Sequence, residues 1–238
     1  MRLGWKGLPL LAWAALVQAQ SLDPISADPQ HYKLEIENQW VRVIREHMAP
    51  HDTMAMHQHP GPGAVIVLLA DRSNRLIAPD GKSQGVGGHA GDVMWSLPST
   101  HRSENLTGAA FEGLQIEPRR PPSAAPPFVT GAMDAPAVDP QHYHVEFENE
   151  YVRVLRVTIG PHQKLRKHTH PNTFAVLVQL TDQNLRLTSA DGTTRVSKYP
   201  AGLARWVEPP GAAHQDENLA DTPLKFIRVE LKQAVPAK

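Results

Sequence analysis

Short apolar runs rich in β-branched residues recur along the chain, among them Ala64 to Leu69, Ala175 to Leu180 and the alternating Leu224, Phe226, Val229 region, with turn-forming residues between them. No segment of about 12 residues or more carries the period of an amphipathic helix, so the pattern predicts many short strands. Pro79-Asp80-Gly81 and Ala190-Asp191-Gly192 predict hairpin turns whose glycine takes positive φ. Short strands at this spacing predict an all-β sandwich or barrel.

The pattern is written twice. Asp28-Pro29-Gln30-His31-Tyr32 recurs as Asp139-Pro140-Gln141-His142-Tyr143, an offset of 111, and the same offset carries Val41-Arg42-Val43 onto Val152-Arg153-Val154 and His57-Gln58-His59-Pro60 onto His168-Thr169-His170-Pro171. After Trp95 and Trp206 two extra residues enter the second copy, so His101 and Glu104-Asn105-Leu106 match His214 and Glu217-Asn218-Leu219 at an offset of 113. A repeat of this length predicts two tandem units, spanning residues 28–118 and 138–233. Between them the proline-rich stretch from Pro118 to Pro127 cannot pair as a central strand, and residues 119–137 are expected to form a semi-rigid linker.

Composition narrows the chemistry. Lysine plus arginine and aspartate plus glutamate number 24 each in 238 residues, and no basic run is long enough to track phosphates, which argues against a nucleic-acid partner. The chain has 13 histidines and no cysteine, so thiolate catalysis, disulfides and cysteine-type zinc sites are excluded while imidazole and carboxylate ligands remain. At the start, Arg2 and Lys6 precede the apolar run Leu8 to Val17, and Val17-Gln18-Ala19 supplies small residues at a cleavage position. A run of about ten apolar residues is too short for a stable membrane span, which needs about 20. Residues 1–19 are therefore expected to be a signal peptide that directs the mature chain to the periplasm or outside the cell.

Residues i and i+2 of a strand project to one face, so His57 with His59, and His168 with His170, can aim both imidazoles into one space. His101 and His214 lie 42 and 44 residues further on, far enough for a strand-turn-strand excursion to return beside its start. Three neutral imidazoles with open positions left over suit a divalent transition metal (iron, copper, manganese, nickel or zinc). Six histidines, His57, His59, His101, His168, His170 and His214, are the candidate metal ligands. His31, His142, His51 and His162 also repeat, but their positions at strand entries and turns suggest caps or surface contacts.

At these residues the chain resembles the cupin superfamily, and in duplicated form a bicupin. That resemblance implies two tandem double-stranded β-helix, or jelly-roll, barrels, and it covers nearly all of residues 28–233. The first cupin motif carries a glycine, a His-x-His pair and then a glutamate. Here His51 and His162 stand at the glycine, and Gly63 or Ala64, and Phe174 or Ala175, stand where the glutamate belongs. The second motif matches Gly91, Pro98, His101 and Asn105 in the first copy and Gly202, Pro209, Gly211, His214 and Asn218 in the second. The chain is also similar to small bacterial cupins of the β-alanine degradation type.

A site without that carboxylate keeps the full charge of a divalent ion and should attract an anionic or chelating small molecule. The resemblance then implies a three-histidine dioxygenase, an oxidoreductase acting on a small acid or diketone; the alternative is a non-catalytic periplasmic cupin that binds a small molecule or metal. If strand parity holds, Thr53 and Ala55 line the first barrel while Lys164 and Arg166 replace them in the second, which makes Arg166 the candidate anion anchor. Two units in one chain can reproduce the pairing that single-unit cupins reach by dimerising, so both a monomer and a dimer are compatible with the sequence.

Overall fold

The computed structural model describes residues 22–119, 128–209 and 212–232; the expected signal segment lies outside them. The first copy runs through α1 (Pro24–Ala27), β1 (Tyr32–Glu37), β2 (Val41–Met48), β3 (His57–His59), β4 (Ala64–Leu68), β5 (Arg72–Ile77), β6 (Ser83–Gly88), β7 (Val93–Ser96), β8 (Ser99–Asn105) and β9 (Phe111–Pro118). The second runs through α2 (Ala135–Val138), β10 (Tyr143–Glu148), β11 (Val152–Ile159), β12 (Ala175–Gln179), β13 (Gln183–Thr188), β14 (Thr194–Tyr199), β15 (Ala204–Val207), β16 (Gln215–Asn218) and β17 (Leu224–Leu231). Both expected hairpin glycines take left-handed φ, +83° at Gly81 and +86° at Gly192.

Each copy is a barrel of two facing antiparallel sheets. The large sheets have the orders β1-β2-β9-β4-β7 and β10-β11-β17-β12-β15, and the small ones are β3-β8-β5-β6 and β14-β13-β16. The second copy begins earlier than the sequence repeat suggested. Helix α2 begins inside the expected 119–137 linker, and its cap residue Asp134 is tied to Arg153 of β11 by two hydrogen bonds, as Asp23 is to Arg42 in the first copy. Residues 128–137 therefore belong in part to the second barrel.

Alternation explains why the large-sheet strands are apolar on both faces. In β4, Ala64, Ile66 and Leu68 face the barrel interior while Val65 and Val67 enter a second core with Val176, Val178, Ile227 and Val229 of the other copy. A strand buried on both sides loses its polar alternation, which is why AVIVL and AVLVQ read as continuous runs. Each fully buried Val, Leu or Ile contributes about 1.5–3 kcal/mol, so this shared core binds the two barrels into one unit. Aromatic contacts border it: Trp40 on Phe174 at 4.6 Å, Phe174 on Trp206 at 4.9 Å and Trp95 on Tyr151 at 5.8 Å.

The junction is nearly symmetric. Arg45 Nη2 donates to Gly202 O at 2.6 Å, and Arg156 Nη2 donates to Gly91 O at 2.8 Å. Gly91 and Gly202 sit at φ +90° and +79°, a left-handed conformation that a side chain disfavours. The two motif glycines thus form the corners that present their carbonyls to the arginine of the opposite barrel.

Candidate metal centres

Strand register brings the third histidine of each copy to the first two. His57 on β3 is directly opposite His101 on β8, and an isolated bridge sets His168 opposite His214. One ring nitrogen from each of His57, His59 and His101 lies within 4.8 Å of the others, and the same holds for His168, His170 and His214. All six expected ligands therefore gather into two trios inside the two barrels. Nδ1 of His57 donates to Ala55 O, and Nδ1 of His168 donates to Arg166 O, both at 2.8 Å. The lone pair is thereby left on Nε2, where the buried hydroxyls of Tyr32 and Tyr143 donate at 2.9 Å. Neutral imidazoles with a directed lone pair are the donor set that a divalent transition metal needs.

Burial keeps five of these imidazoles neutral. Desolvation pushes His57 down to about 4, His101 to about 3 and His214 to about 4, and it lowers His168 and, further, His170. The ordinary value is about 6.5. Between that pH and about 4 the unfolded chain binds protons that the folded chain refuses, so the stability of metal-free protein falls as pH drops through this window. Thermal melting from pH 7 to 4 is expected to show a declining Tm, with a shallower decline in the His57→Gln/His101→Gln variant. Equal slopes would remove histidine burial as the cause.

Two carboxylates that the motif comparison missed stand behind the trios. Glu230 on β17 accepts from His170 Nδ1 at 3.2 Å, and Arg153 Nε and Arg228 Nε donate to it at 2.7 and 2.9 Å. Burial opposes ionisation of Glu230, but the His170 hydrogen bond and the Arg228 and Arg153 charges outweigh it and hold the carboxyl down to about 2. In the first copy Glu117 on β9 sits 3.6 Å from His59 Nδ1, Arg42 is 3.8 Å from Glu117, and both Glu117 Oε1 and His59 Nδ1 are buried without a hydrogen-bond partner. The signal was present in the sequence, since Glu117 and Glu230 match at the offset of 113 that relates His101 to His214. Glu230 thus orients a trio ring from a different strand, whereas Glu117 lies near His59 without bonding it.

The parity assumed for the segment before His-x-His is off by one residue. Met54 and Leu165 turn inward, whereas Thr53, Ala55, Lys164 and Arg166 are exposed. Arg166 Nη1 donates to Val138 O at 3.0 Å on the outside, so Arg166 does not reach the cavity as an anion anchor. The physical reason is an irregular strand: only isolated bridges, Thr53 to Glu104 and Lys164 to Glu217, pair this segment. His51 and His162 adopt φ +59° and +55°, which explains why they stand at a glycine position of the motif. His31 caps as expected, its ring nitrogens bonded to Asp28 at 2.7 Å and Asp52 at 2.9 Å.

The cavities over the two trios differ. The N-terminal one, about 660 Å³, includes Glu46, Arg72, Met94 and Gln115; the C-terminal one, about 350 Å³, includes Arg195, Arg205, Arg228 and Asp216 against an apolar wall. Burial pushes Asp216 up to about 7, against the opposing charges of Arg228 and Arg195.

No family model and no curated protein sequence matches the chain. Solved structures do. AerE from Microcystis aeruginosa is 13% identical over 86% of this chain and 94% of its own, with a TM-score of 0.56. YhaK from Escherichia coli is 13% identical over 90% of this chain and 100% of its own, with a TM-score of 0.54. A variant of oxalate decarboxylase OxdC from Bacillus subtilis is 14% identical over 89% of this chain and 77% of its own, with a TM-score of 0.54. At this identity the likeness concerns the fold, and together with the twin histidine trios it establishes that the chain has the cupin fold, written twice in tandem.

Proposed function

We propose that the protein is an exported metal-dependent oxidoreductase in which His168, His170 and His214 hold one divalent transition metal, with a small acid or diketone as substrate. The observation that carries this reading is the completed set of bonds behind the C-terminal trio: His170 is fixed by Glu230, which is itself fixed by Arg153 and Arg228. A ring oriented from behind presents its other nitrogen in a fixed direction and gains basicity. When bound, the metal would supply Lewis acidity and, if redox-active, dioxygen chemistry at its open positions. The chain's own part is orientation and water exclusion. Leu177, Leu185 and Phe226 form the dry wall, and the buried Tyr143 hydroxyl, which holds its proton, occupies in the metal-free protein the His168 Nε2 lone pair that the metal would take. Export rests on the pattern of residues 1–19.

Elemental analysis of the mature protein tests the reading. One iron, copper or manganese per chain, lost on changing His168 and His170 to alanine and retained on changing His57 and His59, is the expected result. No metal after reconstitution overturns it. For the N-terminal barrel, where His59 and Glu117 lack hydrogen-bond partners, a non-catalytic binding role is the better reading. Glu230→Gln is expected to weaken metal binding by about 10–100-fold, the usual effect of losing a group that orients a ligand histidine. Competition with a chelating dye measures it, and an affinity unchanged from wild type would reduce Glu230 to a purely structural role.

A further inference from the structure

The arginines of the C-terminal cavity have hydrogen-bonding capacity that the protein does not use. Arg228 is only 5% exposed, yet its Nη2 is buried without a partner, and so is Nε of Arg205. A buried guanidinium nitrogen left unpaired costs free energy unless something else accepts from it. Register explains the position of Arg228: it pairs with Leu155 on one side and Leu177 on the other, at the centre of the large sheet, and projects inward with Phe226 and Glu230. Arg205 enters from β15, and its guanidinium lies over the Tyr199 ring at 4.0 Å. Stacking fixes the plane and leaves the edge N–H groups for an acceptor lying in that plane.

The charge count favours an anion. Three guanidinium groups, Arg195, Arg205 and Arg228, line this cavity against two carboxylates, Asp216 and Glu208. Behind the lining, Glu230 is shared by Arg153 and Arg228, and Arg153 also pairs with Asp134. In the N-terminal cavity the residue equivalent to Arg228 is Gln115, which donates to Glu46, and the position of Arg205 is taken by Met94. Arg72 is there the single guanidinium, facing Glu46; its Nη2 contacts Met94 Sδ at 3.3 Å and its Nε is buried without a partner. Both cavities are lined by one more cation than carboxylates, Arg72 and Lys82 against Glu46 in the first, but only the second sets together two guanidinium groups with buried unpaired nitrogens.

We propose that the C-terminal barrel selects small organic carboxylates with a short apolar body, the carboxylate received by Arg228 and Arg205 and the body lying against Leu177, Leu185, Leu187 and Val207, whereas the N-terminal barrel does not. The inference rests on the reading of this barrel as a ligand site. A cavity of about 350 Å³ lies at the small end of the range of about 300–1,000 Å³ for ligand pockets. A charge-assisted pairing to the carboxylate would satisfy nitrogens the fold leaves bare.

The test is calorimetric titration of metal-free, full-length mature protein with phenylacetate and with its neutral isostere phenylacetamide. Phenylacetate is expected to bind at one site per chain, and phenylacetamide at least tenfold more weakly. Arg228→Gln and Arg205→Gln should each weaken phenylacetate at least tenfold, while Arg72→Gln leaves it unchanged. Arg205 does not bond to Glu230, so Arg205→Gln keeps the test valid should Arg228→Gln fail to fold. Equal binding of acid and amide, no binding of phenylacetate, or loss in Arg72→Gln alone overturns the proposal. Because the protein is metal-free, an absence of metal in the elemental analysis would sink the oxidoreductase reading and leave this result intact.

Discussion

Replacing Arg153 with alanine is expected to destabilise the protein by about 3–5 kcal/mol, measured by urea denaturation, whereas Arg42→Ala at the equivalent position costs roughly 1 kcal/mol. Both arginines lie between an N-cap aspartate and a glutamate behind the trio, but the surroundings differ. Arg153 and Glu230 have side chains 5% and 0% exposed, and Arg153 bonds Asp134 at 2.7 and 2.9 Å and Glu230 at 2.7 Å. Removing it strands the buried Asp134 and leaves Glu230 to Arg228 and His170 alone. Arg42 faces an aspartate whose side chain is 32% exposed and a glutamate 3.8 Å away, so water and distance already weaken what is lost. Arg153→Ala should also release His170, so metal affinity falls with stability. Equal destabilisation by the two substitutions would refute the view that the copies have diverged in the organisation of their sites.

The second large effect concerns the junction. Ile227 is fully buried in the core shared by the two large sheets, and Ile227→Ala is expected to cost about 2–5 kcal/mol through lost transfer energy and the cavity left behind. Val196→Ala, at a position 53% exposed, should stay within about 0.5 kcal/mol. The wild-type protein is expected to melt in one transition because neither barrel can leave the other without exposing Val65, Val67, Val176 and Val178. For a chain of this size the Ile227→Ala transition should move down by roughly 2–4 °C per kcal/mol and stay single. Two separable transitions in the wild type would show that the barrels fold independently.

These expectations separate what local patterning reveals from what it hides. The strands, the hairpin glycines and the duplication were legible because period-two alternation and turn chemistry are local properties. The trios were legible because His-x-His on one strand face is a local geometry, and repetition of the third histidine at a matched distance supplied the rest. Arg166 was misplaced because strand parity was extended through a segment that pairs only at isolated bridges. Glu117 and Glu230 were missed because β9 and β17 belong to the large sheets, and only closure of each barrel brings their side chains against the histidines.

What the sequence by itself determined is an all-β chain built from two copies of one unit, each carrying three imidazoles able to converge. Tertiary structure alone decided that the two copies share a core, that Glu230 and Arg153 complete one trio while Glu117 and Arg42 leave the other loose, and that Arg205 and Arg228 meet in a single cavity. The reason is range. Periodicity and spacing act over a few residues, whereas register across a sheet and closure of a barrel bring together side chains as far apart as Arg153 and Glu230, 77 positions in the chain.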